Sequence, residues 1–186
     1  MITYREYCKR LNERKSKDCT IREDWGKTSP IPREVYKSVT PLDCIRWVDL
    51  GFPSGTLWAD VNICNPDNRN GFWTWDRIMA SEYKDFVPTM KHFGELRGCC
   101  SWDWDDERKG MVLTSEKNGN SIFLPAEGYR SIYGSKVYDE NTDGNYWTSE
   151  SSGGDWAYCV RFNKREVHLY SNHIPNWWSV RLVQPK

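Results

Sequence analysis

The stretch Asn118-Gly119-Asn120-Ser121-Ile122-Phe123-Leu124-Pro125-Ala126-Glu127-Gly128 constrains the fold most. A polar, glycine-bearing turn feeds a short apolar run, which a Pro and a second Gly then end. Such a run is too short for a helix and reads as a buried strand held between two turns. The rest of the chain from residue 45 onward repeats this grammar. Residues 45–50 and 56–61 read as strands flanking the turn Gly51-Phe52-Pro53-Ser54-Gly55. Residues 101–105 and 110–114 precede the central block, and 146–149, 157–163, 167–170 and 179–183 follow it as further strands. Phe72-Trp73-Thr74-Trp75 reads as a short aromatic strand or edge, and Asn65-Pro66-Asp67-Asn68 opens a polar loop before it. One segment breaks the pattern. Pro88-Thr89 opens a helix, Phe93 and Leu96 fall at helical spacing, and Gly98 is expected to mark its end.

The first 44 residues differ. Thr3 can cap a helix whose face carries Tyr4, Tyr7, Cys8 and Leu11, and Pro30, Pro32 and Pro41 then interrupt the chain. Residues 1–44 are therefore expected to form a helix and an extended arm, and 45–186 the main domain. The start of the chain shows neither an apolar run nor a cleavage-like site, so a signal peptide and a membrane span are not expected.

Lys+Arg and Asp+Glu are both 26, leaving no basic excess with which to hold nucleic acid or an anionic membrane surface. The chain has 11 Trp and 10 Tyr at a mean hydropathy of -0.79. Rings so numerous in a hydrophilic chain are expected partly in the core and partly at a recognition surface. The seven cysteines, Cys8, Cys19, Cys44, Cys64, Cys99, Cys100 and Cys159, form no CxxC pair and stand beside no His-rich cluster, which argues against a zinc site. Neither His92 nor His168 has a nucleophile partner visible in the sequence. Asp103, Asp105, Asp106 and Glu107 are dense but read as a strand end and turn rather than a convergent calcium shell. No catalytic, metal or cofactor residue is assigned. Arg130 and Arg181 are expected to pair with carboxylates beneath loops. Gly128 and Gly144 are expected at positive φ in turns.

The ligand surface is expected within residues 147–178. Alternation puts Tyr158, Val160 and Phe162 on one face of a strand, Cys159, Arg161 and Asn163 on the other, and His168 with Tyr170 on a shared face. Rings for stacking, with amide and guanidinium groups for hydroxyls, suit a sugar or a protein epitope. The candidate contact residues are Trp147, Glu150, Asp155, Trp156, Tyr158, Arg161, Asn163, His168, Tyr170, Asn172, His173, Asn176 and Trp177.

Six blocks in order carry a resemblance to a known family. They are Trp47-Val48-Asp49-Leu50-Gly51-Phe52-Pro53-Ser54-Gly55-Thr56-Leu57-Trp58-Ala59, then Val87-Pro88-Thr89, Cys100-Ser101-Trp102-Asp103-Trp104, the 118–130 stretch, Gly144-Asn145-Tyr146-Trp147-Thr148-Ser149, and Trp178-Ser179-Val180-Arg181-Leu182-Val183. From residue 45 on, the chain resembles the Fibrobacter succinogenes major paralogous domains of gut Bacteroidetes and their phages. The resemblance implies an α+β, C-type-lectin-like fold with mostly antiparallel sheets, one or two helices and long loops, its termini on neighbouring strands. It further implies kinship with the variable proteins of diversity-generating retroelements. Two blocks depart from the family. Phe72-Trp73-Thr74-Trp75-Asp76 stands where it has a Tyr/Phe-Ala-Trp-Gly-Glu-like motif, and Trp177-Trp178 replaces its closing Gly-Phe.

The function expected from this reading is non-catalytic recognition by a phage virion protein, for receptor binding or decoration. It would display its surface to a bacterial surface protein or glycan and attach to other virion proteins through residues 1–44. Two alternatives are a bacterial cell-surface adhesin or carbohydrate-binding domain, and an enzyme on the fold of formylglycine-generating enzymes. The first would favour the cell surface over the virion. Oligomeric state stays open, with a homo-oligomer as one arrangement.

Overall fold

Antiparallel strands in small sheets dominate the computed structural model, which describes residues 42, 45–63, 65, 71–134 and 136–185. The helix and arm expected over residues 1–44 lie outside the described residues, apart from Leu42. Among the described residues there are eleven strands and two α-helices. Strand β1 (Trp47–Asp49) forms a hairpin with β2 (Thr56–Asn62) through the predicted Gly-bearing turn, and Gly51 and Gly55 have φ of 69° and 72° there. The last strand, β11 (Arg181–Pro185), returns to pair with β2, so both ends of the described region share one sheet.

The aromatic segment 72–75 is not a strand. Trp73 makes a single bridge to Trp178, and helix α1 (Trp75–Met79) begins two residues on. A 3-10 turn (Lys84–Phe86) leads to helix α2 (Met90–Cys99). Its start matches the Pro-Thr signal. Thr89 Oγ1 accepts the His92 amide, and the Thr89 amide donates to His92 Nδ1 at 3.0 Å. Its end does not match the glycine signal. The helix runs past Gly98 through Cys99 and passes straight into β3 (Cys100–Asp105). Gly98 is exposed and outside the positive-φ region, so it does not cap. Strands β3, β4 (Gly110–Ser115) and β5 (Ser121–Pro125) form a meander, and β5 is the central block of the sequence, with Ile122 and Leu124 buried. A short ribbon of β6 (Tyr129–Arg130) and β7 (Val137–Tyr138) precedes the last sheet, in the order β10 (Val167–His173), β9 (Trp156–Asn163), β8 (Asp143–Gly153).

Two hydrophobic clusters lie on opposite faces of the middle strands. Adjacent residues of one strand point to opposite faces, and here they divide between the clusters. Trp58, Tyr146, Val160 and Val183 join the first, with Phe93 and Leu96 of α2 and Leu113 and Leu124 of the meander. Ala59, Trp147, Cys159 and Leu182 join the second, with Trp73, Ile78 and Trp178. Burial on both faces explains the near-continuous apolar runs of these strands.

Arg181 is 1% exposed at the seam. Its side-chain hydrogen bonds go to neutral acceptors, while the carboxylates of Asp60 and Glu127 lie near enough to favour its charge. It donates to Asn62 Oδ1 at 2.8 Å, Ala59 O at 2.9 Å and Phe123 O at 2.7 Å, so it ties β2, β5 and β11 together. Glu127 Oε2 accepts instead from Asn62 Nδ2 and from Ser179 Oγ, and Tyr146 Oη donates to Pro125 O. Arg130 likewise stacks on a ring, its guanidinium carbon 4.3 Å from the Trp177 centroid. Gly128 has φ of 70°, as expected of a turn. Gly144 does not. It is glycine because a Cβ there would lie 2.0 Å from Phe162 Cζ.

Candidate functional site

The face of β8, β9 and β10 that buries Trp147 and Cys159 turns polar along its length. Cross-strand register places Tyr170 and Trp147 beside Cys159, then His168 and Asn145 beside Arg161, then Asp143 beside Asn163. Residues paired across an antiparallel sheet share a face. One continuous face therefore begins in the second core and ends in amides and charges. Over this transition lies a cavity of about 390 Å³. Its walls are Asn145, Arg161, Tyr170, Asn172, His173, Asn176 and Trp178, together with Tyr129, Ser131, Ile132, Tyr133 and Asp139 of the ribbon and its loop.

The ribbon is held over the sheet by local chemistry. The Gly128 amide donates to Asp143 O, and the Arg130 and Trp177 backbones exchange hydrogen bonds of 2.9 and 2.8 Å. Tyr129 stacks on Tyr138 at 5.6 Å and leans on Trp178 at 6.5 Å. Asp139 and Asn141, both at positive φ, close the chain back towards β8. Trp178 in turn stacks on Trp147 with centroids 4.7 Å apart.

Among the described residues lining the cavity Arg161 is the only Arg or Lys, and it is already engaged. Its Nε donates to Asp143 Oδ2 at 2.9 Å, its Nη2 donates to the same oxygen, and Asp139 Oδ2 lies 3.9 Å away. The bonds to Asp143 hold the guanidinium above its usual range. Burial pushes Tyr170 up to about 12. Asn172 Oδ1 accepts from Asn176 Nδ2 at 3.0 Å and from the His173 amide at 2.7 Å, so these side chains form a fixed polar rim.

Five of the sequence-predicted contact residues meet at the cavity: Arg161, Tyr170, Asn172, His173 and Asn176. A sixth, Trp156, is 49% exposed and sets its ring edge-on to His173 at 5.8 Å. Tyr158 and Asp155 are exposed on the same hairpin, and Asp155 O accepts from the Ile174 amide. The other candidates are placed elsewhere. Trp147 is fully buried, its Nε1 donating to Trp73 O at 2.9 Å, because it faces the second core rather than solvent. Glu150 accepts from the Met90 amide and so serves the N-terminus of α2. Asn163 Oδ1 accepts from the Arg165 and Glu166 amides in the β9–β10 turn. His168 pairs with Glu166 at 3.1 Å. Trp177 lies between the guanidiniums of Arg130 and Arg77, the latter at 5.2 Å. The sequence reading missed the far wall: Tyr129, Asp139, Asn145 and the loop residues Ile132 and Tyr133. The signal for the loop was Tyr133 itself, a large ring in a polar Gly/Ser segment, and it is 92% exposed.

The acidic cluster has protein partners. Asp105 accepts from the Glu107 and Arg108 amides and from Arg108 Nε, and Asp106 pairs with Lys164 at 2.7 Å. Among the described residues no group of three or more His, Cys, Asp or Glu side chains converges to hold a metal ion. Also among the described residues, no helix is long and apolar enough to cross a membrane. Burial raises the Cys159 thiol and pushes Cys100 up to about 11. Comparison with protein-family models, with curated proteins and with solved structures returns no match to this chain.

Proposed function

We propose that this chain is a non-catalytic recognition module with a C-type-lectin-like domain. It is carried on a phage virion as a receptor-binding or decoration protein and displays the β8–β10 face to a bacterial surface protein or glycan. Residues 1–44 attach it to the particle. The observation that carries the reading is the cavity and its margin. Rings, amides and a guanidinium from residues 129–134, 139–145 and 161–178 meet there, the exposed ring of Tyr133 among them, and the exposed rings of Trp156 and Tyr158 stand close by in sequence to its walls. Exposed rings beside polar groups are expensive to keep in water and suit a surface that is covered on binding. The shared sheet of β2 and β11 and the presence of two helices support the lectin-like assignment. For Cys100 and Cys159, thiols raised by burial are the opposite of what a nucleophile requires, which supports a non-enzymatic reading.

The test is adsorption. Purified chain is added to host cells, and bound protein is measured for wild type, Trp156→Ala and Tyr133→Ala. Both exposed rings can be removed without touching a core, so both variants are expected to fold normally and to bind at least tenfold more weakly. Unchanged adsorption of the two folded variants would remove the proposed surface.

A further inference from the structure

Strand β10 forms one edge of the last sheet. It pairs with β9 on one side and, among the described residues, with no strand on the other. The register fixes which backbone groups face outward. The Asn163 amide donates to Glu166 O, and the Ile174 amide donates to Asp155 O, so the pairs just beyond both ends of the ladder are hydrogen-bonded. Hydrogen-bonded and non-hydrogen-bonded pairs alternate along an antiparallel ladder. Counted inward from either end, His168, Tyr170 and Asn172 bond to β9, while Val167, Leu169 and Ser171 turn their N–H and C=O outward. His173 also faces outward but is used locally, its amide donating to Asn172 Oδ1 and its carbonyl accepting from the Asn176 amide. The outward groups of Val167, Leu169 and Ser171 have no partner among the described residues.

Edge strands are ordinarily blunted by Pro, by charge, by a bulge or by shortness. From Val167 to His173 there is no Pro, Lys, Arg, Asp or Glu, and the seven-residue ladder to β9 runs without a register shift. By contrast β3, an edge of the meander, exposes Asp103 and ends on Asp105. The occupant that fits the β10 edge is a second copy of itself. Antiparallel pairing about a two-fold axis at Leu169 sets Leu169 opposite Leu169 and Val167 opposite Ser171, so each free N–H meets a free C=O. The intervening pairs set His168 against Tyr170 and Glu166 against Asn172, and neither puts like charges face to face. The same two-fold carries the β9–β10 turn of one copy to the open end of the other copy's hairpin. Arg165 is exposed on the turn and Asp155 at the open end, and neither side chain has a partner among the described residues. Opposite charges therefore approach each other at both ends of the shared edge.

We propose that two copies of this chain associate through β10, joining their β8–β10 sheets into one continuous antiparallel sheet. The pairing does not rest on the recognition role, and host-cell adsorption can fail while the sheets still join. The experiment is sedimentation of the full chain over a concentration series, with amide exchange read by NMR on the concentrated sample. Wild type is expected to be monomeric at about 1 µM and dimeric at about 1 mM, the range of a small interface. Ser171→Pro removes one outward donor and leaves the β9 ladder whole, so it should stay monomeric throughout. Arg165→Glu, on the exposed turn, should weaken dimerisation about tenfold by facing Asp155 with a like charge, and adding Asp155→Lys should recover most of that loss. In the wild-type dimer the Val167 and Leu169 amides should exchange at least about tenfold more slowly than in the monomeric variant. The His168, Tyr170 and Asn172 amides, bonded to β9, should exchange alike in both. A wild type that is monomeric at about 1 mM overturns the proposal. So does a dimer whose Val167 and Leu169 amides stay unprotected, or a folded Ser171→Pro that still dimerises, because such a dimer uses another surface. Should Ser171→Pro fail to fold, Arg165→Glu takes its place in the exchange comparison, and dimerisation indifferent to Arg165→Glu ends the proposal.

Discussion

A methyl group at position 144 would sit 2.0 Å from Phe162 Cζ and 2.4 Å from Cε1. Phe162 cannot retreat, since Tyr146 stacks on it at 5.7 Å and Trp102 meets its edge at 6.1 Å. Gly144→Ala should therefore destabilise the domain by about 3 kcal/mol, the upper part of the overpacking range. A urea titration would show it as a lower midpoint at unchanged slope. Phe162→Leu in the same chain should recover part of the loss, because the two positions share one contact. Arg181 poses the opposite problem. Removing its guanidinium strands the carbonyls of Ala59 and Phe123 and the amide oxygen of Asn62 in the core. Arg181→Met is expected to cost about 3–5 kcal/mol, and Arg181→Lys should not restore it, since an ammonium cannot span three acceptors in a plane. Urea titration reads both. Local sequence made Arg181 visible as a structural arginine. It did not show that neutral acceptors would hold it, because those come from β2 and β5, far away in the chain.

Helix α2 was legible at one end only. Its cap is local: Thr89 and His92 lie three residues apart and satisfy each other's amides. Its end depends on β4, which pairs with β3 from Cys100 onward and stops the helix without any left-handed residue. The cap also makes stability sensitive to acid. Burial lowers the His92 pKa below its ordinary 6.5, and the neutral ring accepts the Thr89 amide. The folded state therefore binds the proton less readily than the unfolded chain. The stabilisation is full above pH 6.5 and is lost as pH falls from there through the lowered folded value. Urea midpoints measured from pH 7.5 down to about 5 should fall, and His92→Gln should flatten that stretch of the profile. Thr89→Ala should cost about 1 kcal/mol at any pH in the range.

At the scale of the whole molecule, the tryptophans divide into two populations that their sequence contexts do not separate. Trp147 and Trp156 both sit in the predicted ligand region, yet one is fully buried and the other is 49% exposed. Trp147→Ala should cost about 3–5 kcal/mol through the cavity it leaves under Trp178, while Trp156→Ala should stay within about 0.5 kcal/mol. Thermal unfolding of the pair checks the division, and near-UV circular dichroism should change strongly only for Trp147→Ala. An equal loss of stability in both would contradict it.

The sequence by itself determined most of the strands, the hairpin turns and the start of the helix, because each depends on alternation, glycine or capping within a few residues; the short ribbon β6–β7 and the loss of a strand at 72–75 it did not show. It also determined that rings so numerous in a hydrophilic chain would divide between core and surface. Tertiary structure decided which rings lie where. Alternation along β9 separates Cys159 and Arg161 from Val160 and Phe162, but either face of a strand can be covered, and here both are. The packing of residues 129–133 and Asp139 over β8 and β9 turns the polar end of one face into a cavity. Its walls come from residues 129 to 178, and their meeting depends on the folding of intervening chain that no local pattern encodes.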